Sequence, residues 1–202
     1  ILNLVIGFNF ATDGKVLVDG EDISRIDLRS YRKHLAVVPQ TSILFSGTIR
    51  DNMKWGKEDA SEEEIQRALS IAQASGFVKS KPEGLNTMVS QGGANLSGGQ
   101  RQRLTIARAL VGDPEILIMD DSASALDFAT DAALRHAIHE QTKGMTVFIV
   151  SQRATSIKQA DKILVLDDGE LAGVGTHKEL MESCEVYREI CLSQLSEQEV
   201  NR

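Results

Sequence analysis

Residues 96–121 read LSGGQRQRLTIARALVGDPEILIMDD and contain two elements from which the fold class can be predicted. The first is a helix that starts at two consecutive glycines, Gly98 and Gly99, and continues to Leu110. The second is the run from Glu115 to Asp120, in which residues 116–119 are apolar and the last residue is an acid. A short, continuously apolar run is typical of a strand buried on both faces of a parallel sheet. The stretch therefore predicts an α/β fold.

The glycine-bearing helix start has two interpretations. Ser97 and Gln100 have the S-x-x-Q spacing of a capping box, which explains both as structural residues. The glycines stay unexplained, because each costs a helix about 1 kcal/mol relative to alanine. Paired glycines let a ligand approach the backbone closely, and free amides together with the helix dipole attract phosphate. We therefore expect this segment to contact a phosphate group.

The second element ends in two acids, Asp120 and Asp121. Carboxylates after a strand are often simply solvated, which is the structural interpretation of the pair. An α/β sheet, however, binds its ligands just outside the carboxyl ends of its strands. In phosphoryl transfer one acid holds Mg²⁺, and a neighbouring residue positions or deprotonates the attacking water. The pair is therefore a candidate phosphoryl-transfer site.

The remaining chain alternates short strands with amphipathic helices. Leu35–Val38 and Val147–Val150 are apolar enough for buried strands, and residues 48–112 have a more polar, helical pattern that predicts an inserted helical subdomain. Asp-Gly pairs at residues 19–20 and 168–169 predict hairpin turns. A capping box at Thr176 predicts a last helix, on which we expect both cysteines, Cys184 and Cys191, as reduced thiols.

Composition limits the classes of function. With 202 residues, 42% of them hydrophobic, the chain has the size of one globular domain with a substantial core. The net charge of −7, without a cluster of basic residues, argues against nucleic acid as a partner. No apolar run approaches the ~20 residues of a membrane-spanning helix. The four histidines have no metal-ligand spacing.

Four segments together carry a specific resemblance. Residues 96–103, 116–121 and 124–127 resemble the signature motif, the Walker B strand and the D-loop of ABC transporter ATPases. Residues 37–52, which contain VVPQ and LFSGTIRDN, resemble the Q-loop region of the exporter branch. The order and spacing of these motifs agree along essentially the whole chain. The chain thus resembles the ATP-binding domain of an ABC exporter.

The resemblance implies a P-loop NTPase-like parallel sheet flanked by helices. Residues 1–47 and 113–202 would form the RecA-like core, and residues 48–112 would form the helical subdomain that carries the signature motif. Two such domains would sandwich two ATP molecules, each bound by the Walker motifs of one chain and the signature of the other. The second ABC subunit and the transmembrane domains of an exporter are the implied partners. The implied location is the cytoplasmic face of a membrane, which is the cell membrane in a bacterium.

Roles are implied residue by residue. Asp120 would bind Mg²⁺, and Gln40 would join it while sensing the γ-phosphate, although Gln40 alone reads as a polar loop residue after Pro39. Asp121 and Gln152 occupy the remaining catalytic positions. The residues implied to bind ATP, across the interface with the partner, are Ser97, Gly98, Gly99, Gln100 and Asp127.

Three departures from the family pattern follow. No G-x-x-x-x-G-K-[ST] occurs, since Gly14-Lys15 and Gly56-Lys57 lack both the leading glycine and the trailing hydroxyl. The resemblance places that Walker A loop just before the helix that residues 1–7 would continue. We therefore expect the chain to begin just after the loop, and this fragment alone to bind ATP poorly and lack activity.

The other departures lie at Asp121, where the family usually has Glu, and at Gln152, where it usually has His. The shorter side chain reaches about 1.5 Å less far, and a misplacement of about 1 Å can cost on the order of 100-fold in rate. Glutamine cannot carry a proton near neutral pH. Both changes affect one composite site, while the signature motif is intact. This asymmetry resembles the degenerate-site subunit of a heterodimeric exporter.

Two other functions stay open. A soluble ABC ATPase of DNA repair or translation would share the signature, but the exporter-like residues 45–50, the negative charge and the absence of heptads oppose it. A non-catalytic module that dimerises with and regulates a partner ATPase is compatible with Asp121, Gln152 and the missing phosphate loop.

Overall fold

The computed structural model describes residues 1–122 and 124–194, which divide into two compact units. The first unit is Ile1–Val150, and the second begins at Ser151. Within the described part of the first unit, the helices are α1 Leu2–Val5, α2 Leu28–Tyr31, α3 Ile49–Lys54, α4 Glu62–Ile71, α5 Ser75–Lys79, α6 Gly98–Leu110 and α7 Phe128–Gln141. The strands are β1 Leu17–Val18, β2 Glu21–Asp22, β3 Leu35–Val38, β4 Gly47–Thr48, β5 Met88–Val89, β6 Ile116–Asp120 and β7 Thr146–Val150.

The centre of this unit is a parallel sheet in the order β3-β6-β7. Val38 pairs with Met119 on β6, and Asp120 pairs with Val150 on β7. Parallel strands bury both faces, and β6 accordingly has no exposed residue. The three strands predicted from apolar runs and the α/β class are confirmed. The carboxyl ends of β3 and β6 lie side by side, which brings the segments after them together.

One face of the sheet packs against the helices. A single apolar cluster joins strand residues with α4, α6 and α7, and its members include Val38, Leu117, Met119, Ile65, Leu69, Leu104, Ile106 and Leu134. Burying one such side chain contributes about 1.5–3 kcal/mol, so this cluster holds α6 against the sheet. Residues 48–112 thus share a core with the sheet, and the subdomain boundaries stay a prediction.

A short antiparallel pair fastens the segment that follows β3. Gly47 and Thr48 of β4 pair with Val89 and Met88 of β5. Thr48 also caps α3 through a capping box with Asp51. The loop between β3 and β4 is therefore anchored at both ends.

Two Asp-Gly turns fold as predicted. Asp19 and Gly20 take φ values of 50° and 86° between β1 and β2, which is the left-handed backbone that a two-residue hairpin turn requires. Asp168 and Gly169 do the same in the second unit.

The second unit contains α8 Ala154–Ile157, β8 Ile163–Asp167, β9 Glu170–Gly175, α9 His177–Ser183 and α10 Glu185–Gln194 among its described residues. The capping box at Thr176 is confirmed. The prediction of one helix bearing both cysteines is wrong, because Cys184 has extended backbone (φ −120°, ψ 108°) and separates α9 from α10. The break lets both thiols enter one core with Leu180 and Tyr187.

Candidate functional site

The start of α6 has the geometry of a capped and exposed helix terminus. The Gln100 amide donates to Ser97 Oγ over 3.3 Å, and the Ser97 amide donates to Gln100 Oε1 over 3.2 Å. The capping box predicted from the sequence is confirmed. Ser97 and Gly98 are exposed, and Gly99 is half-buried. The first amides of a helix have no acceptor within it, so Gly98 and Gly99 present theirs at the surface.

The two glycines differ in what surrounds them. A Cβ added to Gly98 would meet only the end of the Arg101 side chain, 4.0 Å away. At Gly99 it would lie 3.4 Å from the Ala125 carbonyl oxygen. Packing within this chain therefore gives a partial reason for glycine at position 99 and none at position 98.

Two arginines of α6 brace this terminus. Arg101 Nη1 donates to the Leu96 carbonyl over 2.7 Å. Arg103 donates from Nε to the Gly99 carbonyl over 3.2 Å and from Nη1 to the Gln73 carbonyl over 2.8 Å. Burial lowers the pKa of Arg103, yet a guanidinium stays charged in proteins. Both cations bind carbonyls and leave the two glycine amides uncovered.

The two acids lie where the sheet ends. Asp120 is the last residue of β6 and half-buried, and the Asp121 amide donates to the Val150 carbonyl over 2.9 Å. Asp121 has φ 43°, a left-handed backbone that Asp adopts more readily than most residues. Because of this turn, the Asp121 side chain does not follow the alternating side-chain directions of β6.

Gln40 contacts Asp121 from the segment that follows the neighbouring strand β3. Its Nε2 donates to Asp121 Oδ2 over 3.3 Å. The register explains the contact, because Gln40 and Asp121 each lie two residues beyond the paired residues Val38 and Met119. The exposed Gln40 side chain keeps its Oε1 as a further oxygen donor.

These oxygens fit Mg²⁺ chemically. Mg²⁺ prefers carboxylate and carbonyl oxygens and usually keeps waters and substrate phosphates as its other ligands. Asp120 and Gln40 would hold the ion as its two protein ligands, and waters and phosphate oxygens would complete its coordination. Among residues 1–122 and 124–194, no group of three or more His, Cys, Asp or Glu side chains is placed to hold a metal.

Asp127 has a structural contact in this chain. It caps α7, with Oδ1 accepting from the Thr130 amide over 2.9 Å and Oδ2 from the Thr130 hydroxyl over 2.8 Å. These hydrogen bonds, the backbone one foremost, hold the pKa of Asp127 below its usual value. Its role in ATP binding stays a prediction.

Gln152 belongs to the second unit. Its side chain is exposed, and its carbonyl accepts a hydrogen bond from Gln194 Nε2 over 2.7 Å. Its catalytic role also stays a prediction.

Sequence reasoning missed two polar contacts between α6 and the loop after β3. Gln102 is 2% exposed, and its Oε1 accepts a hydrogen bond from Ser42 Oγ. Arg108 Nη2 donates to the Ile43 carbonyl over 2.9 Å. A signal was present, because Gln102 lies at helical spacing with the buried Ile106 and is polar where the pattern requires an apolar residue.

A parallel sheet with acids at its carboxyl edge, beside a helix that starts with exposed glycines, defines an α/β nucleotide-binding domain of the P-loop NTPase class. The family model "ABC transporter" matches residues 1–124. The chain belongs to the ABC transporter family. The resemblance inferred from the sequence is thereby confirmed for the family and the fold.

Relatives agree with this assignment. The chain is 43% identical over 182 residues to "ATP-binding cassette sub-family B member 5" of Homo sapiens, which covers 90% of this chain and 14% of that protein. It is 45% identical over 177 residues to the "probable multidrug resistance ABC transporter ATP-binding/permease protein YheI" of Bacillus subtilis, covering 88% and 30%. The chain thus spans a third or less of these two relatives.

A solved structure agrees as well. The chain matches the structure of a bacterial Atm1-family ABC exporter with ATP bound, with a TM-score of 0.92 and 36% identity over 97% of this chain and 35% of that one. None of the helices in the described residues combines the length and apolarity needed to span a bilayer.

Proposed function

We propose that this chain is the ATP-binding and ATP-hydrolysing domain of an ABC exporter. Its signature segment, residues 97–100, completes the ATP site of a second subunit, and its own site turns over slowly. The similarity to an ATP-bound exporter supports the general assignment. Residues 48–112 form the helical subdomain of this domain, and the remaining residues form its RecA-like core.

The observation that carries the proposal is the exposed start of α6. No neighbour within this chain requires glycine at position 98. The Ser97 side chain caps α6 and is exposed. Two unpaired amides at a helix N-terminus bind phosphate. A phosphate held by another subunit can reach them, because Ser97 and Gly98 lie on the surface.

The chain's own site consists of residues after the strands. Asp120 and Gln40 would hold Mg²⁺, which would neutralise phosphate charge. Asp121 positions the attacking water and accepts its proton, and the family pattern assigns Gln152 to the same catalytic set. Asp121 reaches less far than a glutamate, and its carboxylate is engaged by Gln40 over 3.3 Å. Both features make this the slower of two sites.

The partners follow from this arrangement. A second, non-identical ABC subunit supplies the competent catalytic residues, and Asp127 couples the two ATP sites across the interface. Transmembrane domains convert closure of the dimer into export, so the domain works at the cytoplasmic face of a membrane. The name of the Bacillus subtilis relative, an ATP-binding/permease protein, supports the link to transmembrane domains.

ATP turnover by the full-length protein, assembled with its second subunit, tests the proposal. Asp121→Asn in this chain is compared with neutralisation of the corresponding acid in the partner. We expect Asp121→Asn to retain at least half of the turnover and the partner change to abolish it. Equal abolition by both changes would contradict the asymmetry.

A non-catalytic regulatory module is the second candidate. The contact of the Asp121 carboxylate with Gln40 favours it, because an oxygen that accepts this hydrogen bond is less available to water. Equilibrium ATP binding to the full-length protein separates the two. Micromolar binding with slow turnover supports the exporter ATPase, and no binding supports the regulatory module.

A further inference from the structure

Gln102 is a buried amide whose hydrogen bonding is only half satisfied. Its side chain lies on α6, one turn after the glycine-bearing start, and is 2% exposed. Oε1 accepts from Ser42 Oγ, and Nε2 has no hydrogen-bond partner among the described residues. An unmade hydrogen bond on a buried amide opposes folding, so an apolar side chain would be more stable here. Stability therefore does not explain glutamine at this position.

The contact of Gln102 joins two parts of the candidate site. Ser42 lies two residues after Gln40, in the loop that leaves β3. The other polar side chain that is buried on α6, Thr105, binds the Arg101 carbonyl of its own helix. Gln102 instead reaches out of α6 to a hydroxyl 60 residues away in sequence.

The two ends of this loop segment are held differently. Gln40 is exposed, and its contact to Asp121 is long, at 3.3 Å. Ser42 is half-buried. Next to it, the Ile43 carbonyl accepts a hydrogen bond from Arg108 of α6 over 2.9 Å. Gln40 can thus move at small cost, while a movement that reaches Ser42 is transmitted to α6.

We propose that Gln102 is a positioning residue that couples the Gln40 loop to the start of α6. When Gln40 shifts on nucleotide binding, the Ser42–Gln102 hydrogen bond carries the shift to residues 97–99 and aligns them with the ATP of the partner. This rests on the proposed function, because it requires residues 97–99 to contact ATP.

Steady-state ATP turnover of the full-length two-subunit protein provides the test. Gln102→Met keeps the length of the side chain and removes both polar atoms, and Ser42→Ala removes the hydroxyl. We expect each change to lower kcat about 10-fold with KM within about 2-fold. The double variant should lose no more than either single variant, since both changes break one interaction. Ser42→Thr keeps the hydroxyl and should retain most of the turnover.

Ser70→Ala, an exposed hydroxyl on α4 of the same unit, is the matched control and should leave turnover unchanged. The thermal unfolding midpoint of Gln102→Met should equal or exceed that of the parent protein. Unchanged kcat in both single variants would overturn this proposal alone. A loss of turnover that follows a lowered unfolding midpoint, or losses that multiply, would also overturn it. No ATP turnover in the parent protein would overturn the proposed function, and this inference with it.

Discussion

Ser97 and Gln100 exchange hydrogen bonds across the first turn of α6, over 3.2 and 3.3 Å. The Ser97 side chain is therefore already used to stabilise its own helix, as are Ser61 on α4 and Thr176 on α9 by their capping boxes. What distinguishes α6 is the pair of glycines that follows the cap. Capping and phosphate binding can thus be separated by substitution.

Ser97→Asp separates the two roles. Aspartate caps a helix as well as serine does, so the unfolding midpoint should change little. A negative charge at about 4 Å from a phosphate charge costs about 4 kcal/mol at a surface site, so ATP turnover should fall about 100-fold or more. ATPase activity and thermal unfolding of the full-length two-subunit protein measure both effects.

Ser61→Asp is the matched control, because it places the same charge at the same capping position of another helix. It should leave turnover unchanged. Full activity in Ser97→Asp would show that no phosphate approaches α6.

Gly98→Ala tests whether position 98 needs glycine for a ligand. The added methyl group meets only the end of the Arg101 side chain, 4.0 Å away, and alanine favours helix, so stability should hold or rise by up to about 1 kcal/mol. Turnover should fall at least 10-fold, because the methyl group blocks close approach of phosphate. Gly76→Ala on α5, where a Cβ meets nothing within 4 Å, should gain similar stability without loss of turnover. Equal turnover in both variants would argue against a ligand at Gly98.

Asp121→Glu combined with Gln152→His should raise turnover at this chain's own site. The longer carboxylate regains about 1.5 Å of reach, and histidine can carry a proton near neutral pH. We expect at least a 10-fold increase in ATP turnover. It is measured in complexes in which the partner's catalytic acid is neutralised, so that the turnover comes from this chain's site. Because φ is 43° at position 121 and Glu tolerates this backbone less well than Asp, a small loss of stability should accompany the gain. An unchanged rate would locate the deficit elsewhere.

The stability that the Asp127 cap gives to α7 should decrease at low pH. Hydrogen bonds from Thr130 lower the pKa of Asp127 in the folded protein, below the unfolded value of about 3.9. The stabilisation is therefore fully present above that pH and is lost as pH falls through the lowered folded pKa. The difference in thermal unfolding midpoint between the parent protein and Asp127→Ala should become smaller as the pH falls from about 5 to about 2.

Thr130→Ala should show a smaller effect in the same direction, since the backbone donor remains. A gap that is constant across this pH range would contradict the assigned cause.

Local patterns were sufficient for much of the fold. The strands β3, β6 and β7, the capping boxes and the two Asp-Gly hairpins depend on residues adjacent in sequence, and all were predictable. The contact of Gln40 with Asp121 was not among the predictions, because it depends on the pairing of β3 with β6.

Long-range pairing was not predictable. Gly47 pairs with Val89, and Ser42 contacts Gln102, across intervals that no periodicity describes. The break at Cys184 was missed because an extended residue between two helices has no Pro or Gly to mark it. The left-handed Asp121 likewise depends on the sheet around it rather than on its neighbours in sequence.

Photolabelling from the γ-phosphate shows whether the start of α6 approaches the nucleotide of the second subunit. A photoreactive ATP analogue modified at its γ-phosphate is bound to the full-length protein with and without its second subunit, and the labelled peptides are identified by mass spectrometry. If the exposed amides at the start of α6 contact the partner's nucleotide, residues 96–100 should be labelled only when the second subunit is present. Labelling of these residues in the separated chain, or none in the assembled protein, would contradict the account.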